Sequence, residues 1–310
     1  MRIIFLGSPS FAVPTMECLA GSPYRPLAVV TKPDSPQGRG LHTMPTAVKE
    51  RGEALGLPVL TPASLDDSAF LETLRDWRPD LFVVVAFAIL PPSLLRIPRL
   101  GCWNIHPSLL PAYRGAAPVE RAILDGAERT GVSLMWLEER LDRGPLVEQE
   151  ETPIGFLETA GELRQRLGQL GASLLLSSLQ ALQQGESPQV QQDDSKACWA
   201  PKIRETDTWM RWEESALRCH NRVRAMNPVP GASTIRPGKS VPRRLKIWRG
   251  HPEMDTRLEP GEVRIQGGQL LVGCGEGALA VESLQQEGKK PLEVPAFLRG
   301  VSIKEGERWG

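Results

Sequence analysis

The run LFVVVAF at residues 81–87 carries no polar side chain on either face. A strand with one wet face alternates polar and apolar residues. An unbroken apolar run of this length therefore predicts a strand covered on both sides, as in a parallel sheet flanked by helices. Residues 3–6 and 27–31 read the same way, and 58–60 reads as a short edge strand. Between them, 12–20, 46–55 and 70–77 carry helical patterns, so strand and helix alternate as in a Rossmann-like α/β domain. Residues 33–40, with two prolines and two glycines, are expected to be loop. Further on, 118–124 predicts a helix, 131–137 a strand and 146–151 an extended run. The longest helix is expected at 159–182, where Leu163, Leu167, Leu170 and Leu174 recur at three- and four-residue spacing as a core-facing stripe.

The second half changes character. Residues 185–208 are polar and read as a linker, and 212–226 reads as one amphipathic helix. Short apolar runs at 245–248, 261–265, 270–272 and 279–284, separated by glycine turns, predict a small β-barrel of OB-like type. The expected organisation is 1–188 as the α/β domain, 189–206 as linker and 207–310 as the barrel, and 310 residues is a natural length for two domains.

Five cysteines, an odd number without framework spacing, point to a reducing compartment, with Cys198, Cys219 and Cys274 expected as small core residues. No Cys/His pair has metal-ligand spacing. The first residues lack the form of a signal peptide, and no apolar stretch approaches the roughly 18 residues of a membrane helix, so a cytoplasmic protein is expected. Formal net charge is zero, but residues 1–206 hold 20 basic against 24 acidic side chains, and 207–310 hold 17 against 13. A mildly basic second half suits an anionic partner. The first turn, Gly7-Ser8-Pro9-Ser10-Phe11-Ala12, has one glycine where a dinucleotide fingerprint needs three, which excludes that cofactor class.

The candidate chemistry lies in CWNIHPSLLPAYRGAAP, residues 102–118. Asn104 and His106 are two apart and share one face of an extended backbone, just before Pro107 ends regular structure. An amide can stabilise a developing oxyanion, and an imidazole can move a proton near neutral pH. Taken alone, Asn-x-His reads sooner as a packing pair than as a catalytic one, and Asp142 in LDRGP sooner as a turn-former. Arg114 reads either as a substrate contact or as an anchor for its loop.

The text NIHPSLLPAYRGAAP with the later LDRGP resembles the folate-dependent formyltransferases. TKPDSPQGRG, RGAAPVERAI, RAMNPVPGA and GKKPL extend the likeness over the whole chain. The resemblance implies an enzyme that moves a formyl group from 10-formyltetrahydrofolate to the α-amino group of methionine on initiator methionyl-tRNA. Direct transfer through a tetrahedral intermediate is expected, with no metal, no DNA or membrane partner, and a monomeric protein. It implies a catalytic trio of Asn104, His106 and Asp142. Folate is expected against Ala86, Phe87, Ala88, Ile89 and Leu90 and against Ser108, Leu109, Leu110 and Pro111. The first of these segments departs from the family, which usually carries a Tyr-Gly pair and one further residue before Ile-Leu-Pro. tRNA contacts are expected from Lys32 and Arg39 and from the basic run around Arg243, Arg244 and Lys246, a run that alone reads as well as a solvated face.

Overall fold

The structure is a computed structural model that describes residues 1–37, 42–238, 241–304 and 306–310. In chain order the first elements are β1 (Ile3–Gly7), α1 (Val13–Ala20), β2 (Ala28–Val30), β3 (Ser35–Gln37), β4 (His42–Met44), α2 (Ala47–Ala54) and β5 (Val59–Leu60). They are followed by α3 (Ser68–Asp76), β6 (Leu81–Val85), α4 (Pro92–Leu95), β7 (Cys102–His106), α5 (Pro118–Asp125), β8 (Arg129–Trp136), β9 (Leu146–Pro153) and α6 (Ala160–Gln183). The remainder holds α7 (Glu205–Thr208), α8 (Ala216–Ala225), β10 (Ala232–Arg236), β11 (Arg243–Glu253), β12 (Val263–Gln266), β13 (Gln269–Gly273), β14 (Ala278–Gln286), β15 (Leu292–Glu293) and α9 (Val294–Gly300). Two compact units divide the chain discontinuously. The first comprises Met1–Ala116, Arg129–Pro153 and Arg164–Ala200, and the second Ala117–Glu128, Ile154–Leu163 and Pro201–Gly310.

The first unit is built on a seven-stranded sheet in the order β5-β2-β1-β6-β7-β8-β9. Pairing is parallel from β5 to β7 and antiparallel from β7 to β9. Every residue of β1 and β6 is buried, which is the physical counterpart of their unbroken apolar runs. On one face Ile4, Leu6, Phe82 and Val84 pack with Phe70, Leu71 and Leu74 of α3. Leu163, Leu167 and Leu174 of α6 are buried, and Leu170 is half-buried. Strand β6 stops at Val85, two residues short of the expected run, because Ala86 takes a φ of 47° and turns the chain out of the extended region. The reading of 33–40 as loop needs correction at its centre: β3 pairs antiparallel with β4 as a two-stranded ribbon. Proline is tolerated there because an isolated ribbon leaves one side of each strand without a ladder partner.

The second unit carries an antiparallel sheet in the order β10-β11-β14-β13-β12, with β15 added to β14. The C-terminal residues join its two edges. Val263 N–H donates to Glu307 O at 2.7 Å and Trp309 N–H to Gly261 O at 2.8 Å beside β12, while Gly310 N–H donates to Ile235 O of β10 at 2.9 Å. An edge strand left open exposes unpaired backbone groups, and this tail covers both. Helix α8 begins at Ala216 rather than at 212, because Ser215 caps it: its hydroxyl accepts the Arg218 N–H. Trp212 lies before that cap with its ring buried and its Nε1–H on Thr234 Oγ1. Cys219 and Cys274 are buried, but Cys198 is exposed, contrary to expectation. Its contacts are to the loop after β7: Cys198 O accepts the Arg114 N–H and Cys198 Sγ the Tyr113 N–H.

Candidate active site

Strand β7 lies between β6 and β8, with Asn104 opposite Val84 and Met135 and His106 opposite Ser133. Its C-terminal end falls on the same edge of the sheet as those of β1, β2 and β6, where α/β folds bind ligands. Asn104 is half-buried, and its side-chain amide has no hydrogen-bond partner among the described residues. His106 is buried, and its Nε2 lies 3.0 Å from Tyr113 O. A carbonyl oxygen can only accept, so Nε2 carries a proton and Nδ1 is left facing Asp142, whose Oδ1 is 3.8 Å away.

Asp142 is itself buried and sits at a φ of 53°. Its Oδ2 accepts the Gly115 N–H at 2.8 Å, which ties the 141–145 turn to the loop after β7. Gly115 has a φ of 123°, and a Cβ there would meet Ala200 O at 2.7 Å, so this position admits no side chain. Gly144 is equally confined, since a Cβ would overlap Trp136 O. The Arg-Gly and Asp-x-Gly spacings thus have steric causes at the point where the two loops meet.

The residues expected to wall the folate separate into different environments. Ser108 and Leu110 belong to the loop's own packing. Ser108 Oγ donates to Ala112 O, while Ser133 Oγ donates to Ser108 O and accepts Leu110 N–H. Gln149 Nε2 supports the same place through Leu110 O and Ser133 Oγ. Leu90 is buried, Phe87, Ala88, Leu109 and Pro111 are half-buried, Ala86 is exposed, and Ile89 stands out at 74% exposure. Strand, turn and loop therefore leave six of these nine residues available for contact.

Arg114 is only 1% exposed. Its Nε and Nη2 both donate to Gln192 Oε1, at 3.1 and 2.7 Å, and its Nη1 donates to Asp194 Oδ1 at 2.7 Å. That bond from Arg114 holds the Asp194 carboxyl below the usual carboxylate range. Of the two readings open from sequence, the structure selects the loop anchor. Gln192 and Asp194 lie in the segment that reads as linker, and no spacing connects them to a loop so far upstream.

Among the expected tRNA contacts, Lys32 is exposed just beyond β2, and Arg39 lies outside the described residues, as does Lys239 of the basic run. Arg243 and Arg244 are neighbours on β11 and so point to opposite faces of the strand. Arg243 is exposed and makes no ion pair among the described residues. Arg244 reaches Glu205 and Ser233 and lies 4.6 Å from the centre of the Trp209 ring. Lys246, on its face, donates to Pro230 O at 2.6 Å and covers Trp248. Arg236 is half-buried against Glu307, and Arg249 pairs with Glu293. The run contains no acid of its own, yet three of its five described cations, Arg236, Arg244 and Arg249, find acids from distant segments.

A histidine facing a buried carboxylate, with an uncommitted amide two residues before it on the same strand, is an arrangement that acyl-transfer chemistry can use. Two family models match: formyl transferase over residues 1–179, and formyl transferase, C-terminal domain, over 202–302. The methionyl-tRNA formyltransferase of Pelotomaculum thermopropionicum is 41% identical over 99% of this chain and 97% of its own. That of Pelobacter propionicus is 43% identical over 99% and 96%. The chain belongs to the methionyl-tRNA formyltransferase family. Among solved structures, HypX from Aquifex aeolicus in complex with tetrahydrofolic acid shares the fold at a TM-score of 0.65 and 20% identity. That match covers 98% of this chain but about half, 49%, of the HypX chain.

Proposed function

We propose that this protein transfers a formyl group from 10-formyltetrahydrofolate to the α-amino group of methionine on initiator methionyl-tRNA, and that Asn104, His106 and Asp142 carry the step. The observation behind this reading is the approach of His106 to Asp142 beside Asn104, at a sheet edge, in a chain that matches methionyl-tRNA formyltransferases from end to end. The donor follows from the folate-dependent class and from the tetrahydrofolic acid held by HypX.

The amine attacks the formyl carbon, and a carbon–nitrogen bond forms as the carbonyl becomes an oxyanion. Collapse breaks the bond to the folate nitrogen, which takes up the proton that the attacking amine loses. No Ser or Cys nucleophile is needed, because the donor is already activated. The Asn104 amide, uncommitted to any described residue, is free to donate to the oxyanion. His106 carries a proton for the transfer, and Asp142 fixes the ring from the Nδ1 side.

In this reading residues 1–188 bind folate and perform the chemistry, 189–206 connect, and 207–310 meet the RNA through Arg243, Arg244 and Lys246. Lys32 and Arg39 meet it from the first half. Phe87, Ala88, Leu109 and Pro111 offer the accessible part of the folate wall, with Ala86 and Ile89 exposed beside them. Ser108, Leu90 and Leu110 act from behind by holding its shape. No described helix is long and apolar enough to cross a membrane, and the reading takes the enzyme as a cytoplasmic monomer.

The test is transfer of labelled formyl from 10-formyltetrahydrofolate with initiator methionyl-tRNA, elongator methionyl-tRNA or no tRNA, with His106→Ala as control. Transfer confined to the initiator and lost in the variant is the expected result. Formate release irrespective of tRNA would contradict the acceptor.

A further inference from the structure

The Gln192 side chain joins two loops that the reaction needs in register. Its Oε1 accepts both Nε–H and Nη2–H from Arg114, in the loop that follows His106. Its Nε2 donates to Asp142 O at 3.0 Å and to Gly144 O at 2.8 Å. All of its amide's strong bonding directions are thereby used, and the two ends serve different loops. Elsewhere in the 141–145 turn Trp136 N–H donates to Pro145 O at 2.9 Å and Arg143 pairs with Asp194 at 3.3 Å, but neither contact reaches the Asp142 carbonyl. Leu141 is half exposed, the Asp142 backbone sits in the sparsely populated left-handed region, and the turn carries no regular ladder. Asp142 itself is tied at both ends, by Gly115 N–H on its Oδ2 and by its carbonyl on Gln192.

We propose that Gln192 is a positioning residue for formyl transfer: it holds Asp142 against His106 by clamping the Asp142 turn to Arg114. This rests on the catalytic role proposed above for Asp142. Gln192 touches neither His106 nor the carboxylate itself, so its effect runs entirely through the Asp142 backbone. A displacement of that backbone by a fraction of an ångström changes a His–carboxylate separation that already stands at 3.8 Å.

Gln192→Glu separates the two ends of the clamp. A carboxylate keeps the acceptor for the Arg114 guanidinium, so the buried cation stays paired. It removes both N–H donors and sets an oxygen against the carbonyls of Asp142 and Gly144. The protein is assayed full length with initiator methionyl-tRNA and 10-formyltetrahydrofolate, with single-turnover detection for slow variants. Expected are a fall in kcat of about 10- to 100-fold, KM values for both substrates within about twofold of wild type, and an unchanged Tm. The decisive readout is a double-mutant cycle with Asp142→Asn. If Gln192 acts through Asp142, Gln192→Glu costs little further activity in the Asp142→Asn background.

Full multiplicative losses in the double variant, or wild-type kcat in Gln192→Glu, would overturn the proposal. The underlying reading fails separately and visibly: Asp142→Asn alone would then retain wild-type kcat, and the positioning role would fall with it. Should Gln192→Glu lower Tm, Gln192→Lys supplies N–H donors without the acceptor. Retained kcat per folded molecule in Gln192→Glu would then show that Gln192 serves folding alone, whereas kcat lost in Gln192→Glu and kept in Gln192→Lys is the expected result.

Discussion

The loop junction around His106 and strand β11 both concentrate polar side chains, but in opposite solvent regimes. At the junction His106, Ser108, Arg114 and Asp142 are all buried, so each polar atom depends on a protein partner. On β11 the cations are half-buried or exposed, and water can replace any partner they lose. Arg114 and Arg244 make the contrast concrete. Each reaches an acid and a neutral oxygen, but the first is sealed under a loop and the second lies across a tryptophan in contact with solvent. The same residue type sets a loop's position in one region and offers a replaceable charge in the other.

The contrast would break first at His106. His106→Ala is expected to lower single-turnover transfer by about 10²- to 10⁴-fold while leaving tRNA affinity near wild type. A loss under tenfold would put the junction and β11 on the same footing. Next in size is Arg114→Met, which keeps the aliphatic stem but leaves Gln192 Oε1 without its donors. Urea unfolding is expected to show a stability loss of about 1–3 kcal/mol, whereas Arg244→Met should change stability by less than about 1 kcal/mol. Equal losses would erase the distinction drawn from burial.

A third measurement sharpens the picture inside the second unit. Burial alone would raise the Glu307 carboxyl, but hydrogen bonds from Arg236 and Trp309 outweigh it and hold the group below its ordinary 4.5. A depressed folded-state pKa contributes stability that is complete above the unfolded value and fades as pH falls through the folded one. Wild type should therefore melt above Glu307→Gln at neutral pH, and the gap should narrow on acidification below 4.5. A gap independent of pH would deny the ion pair its part in seating the C-terminal tail.

The smallest effects belong to the β11 surface itself. Arg243→Ala removes an exposed cation that has no ion pair among the described residues, and if it meets phosphate the salt dependence of tRNA binding should flatten by about 0.9 in log–log slope. Arg244→Ala should flatten it less, because Glu205 already claims part of that charge. An unchanged slope for both would move the RNA contact away from this strand.

What the sequence makes legible follows from how local each signal is. Strands β1 and β6 and helix α6 are readable because burial on both faces, or along one stripe, writes a period into adjacent residues. Asn104 and His106 are readable for the same reason, since pleat geometry alone puts them on one face. The β3–β4 ribbon is not, because its pairing is made by backbone groups that leave no pattern among Pro, Gly and Ser. The start of α8 was displaced by Ser215, a cap that competes with an apolar Trp212 whose burial is tertiary. Gln192 and Asp194 were invisible for a deeper reason: polar residues in a polar segment carry no period, and their partner Arg114 lies on a distant loop. The placement of Asn104 and His106 on one face could thus be read from the strand, while the groups that hold the loop required the fold.

The central claim is direct transfer at the Asn104–His106–Asp142 junction. A rapid-quench single turnover with labelled 10-formyltetrahydrofolate and initiator methionyl-tRNA tests it most directly, by following label on folate, protein and tRNA through time. The account expects label to pass from folate to methionine with none on the protein, and His106→Ala to slow that passage without trapping any. Label bound covalently to the protein, appearing and decaying fast enough to lie on the route to product, would contradict it.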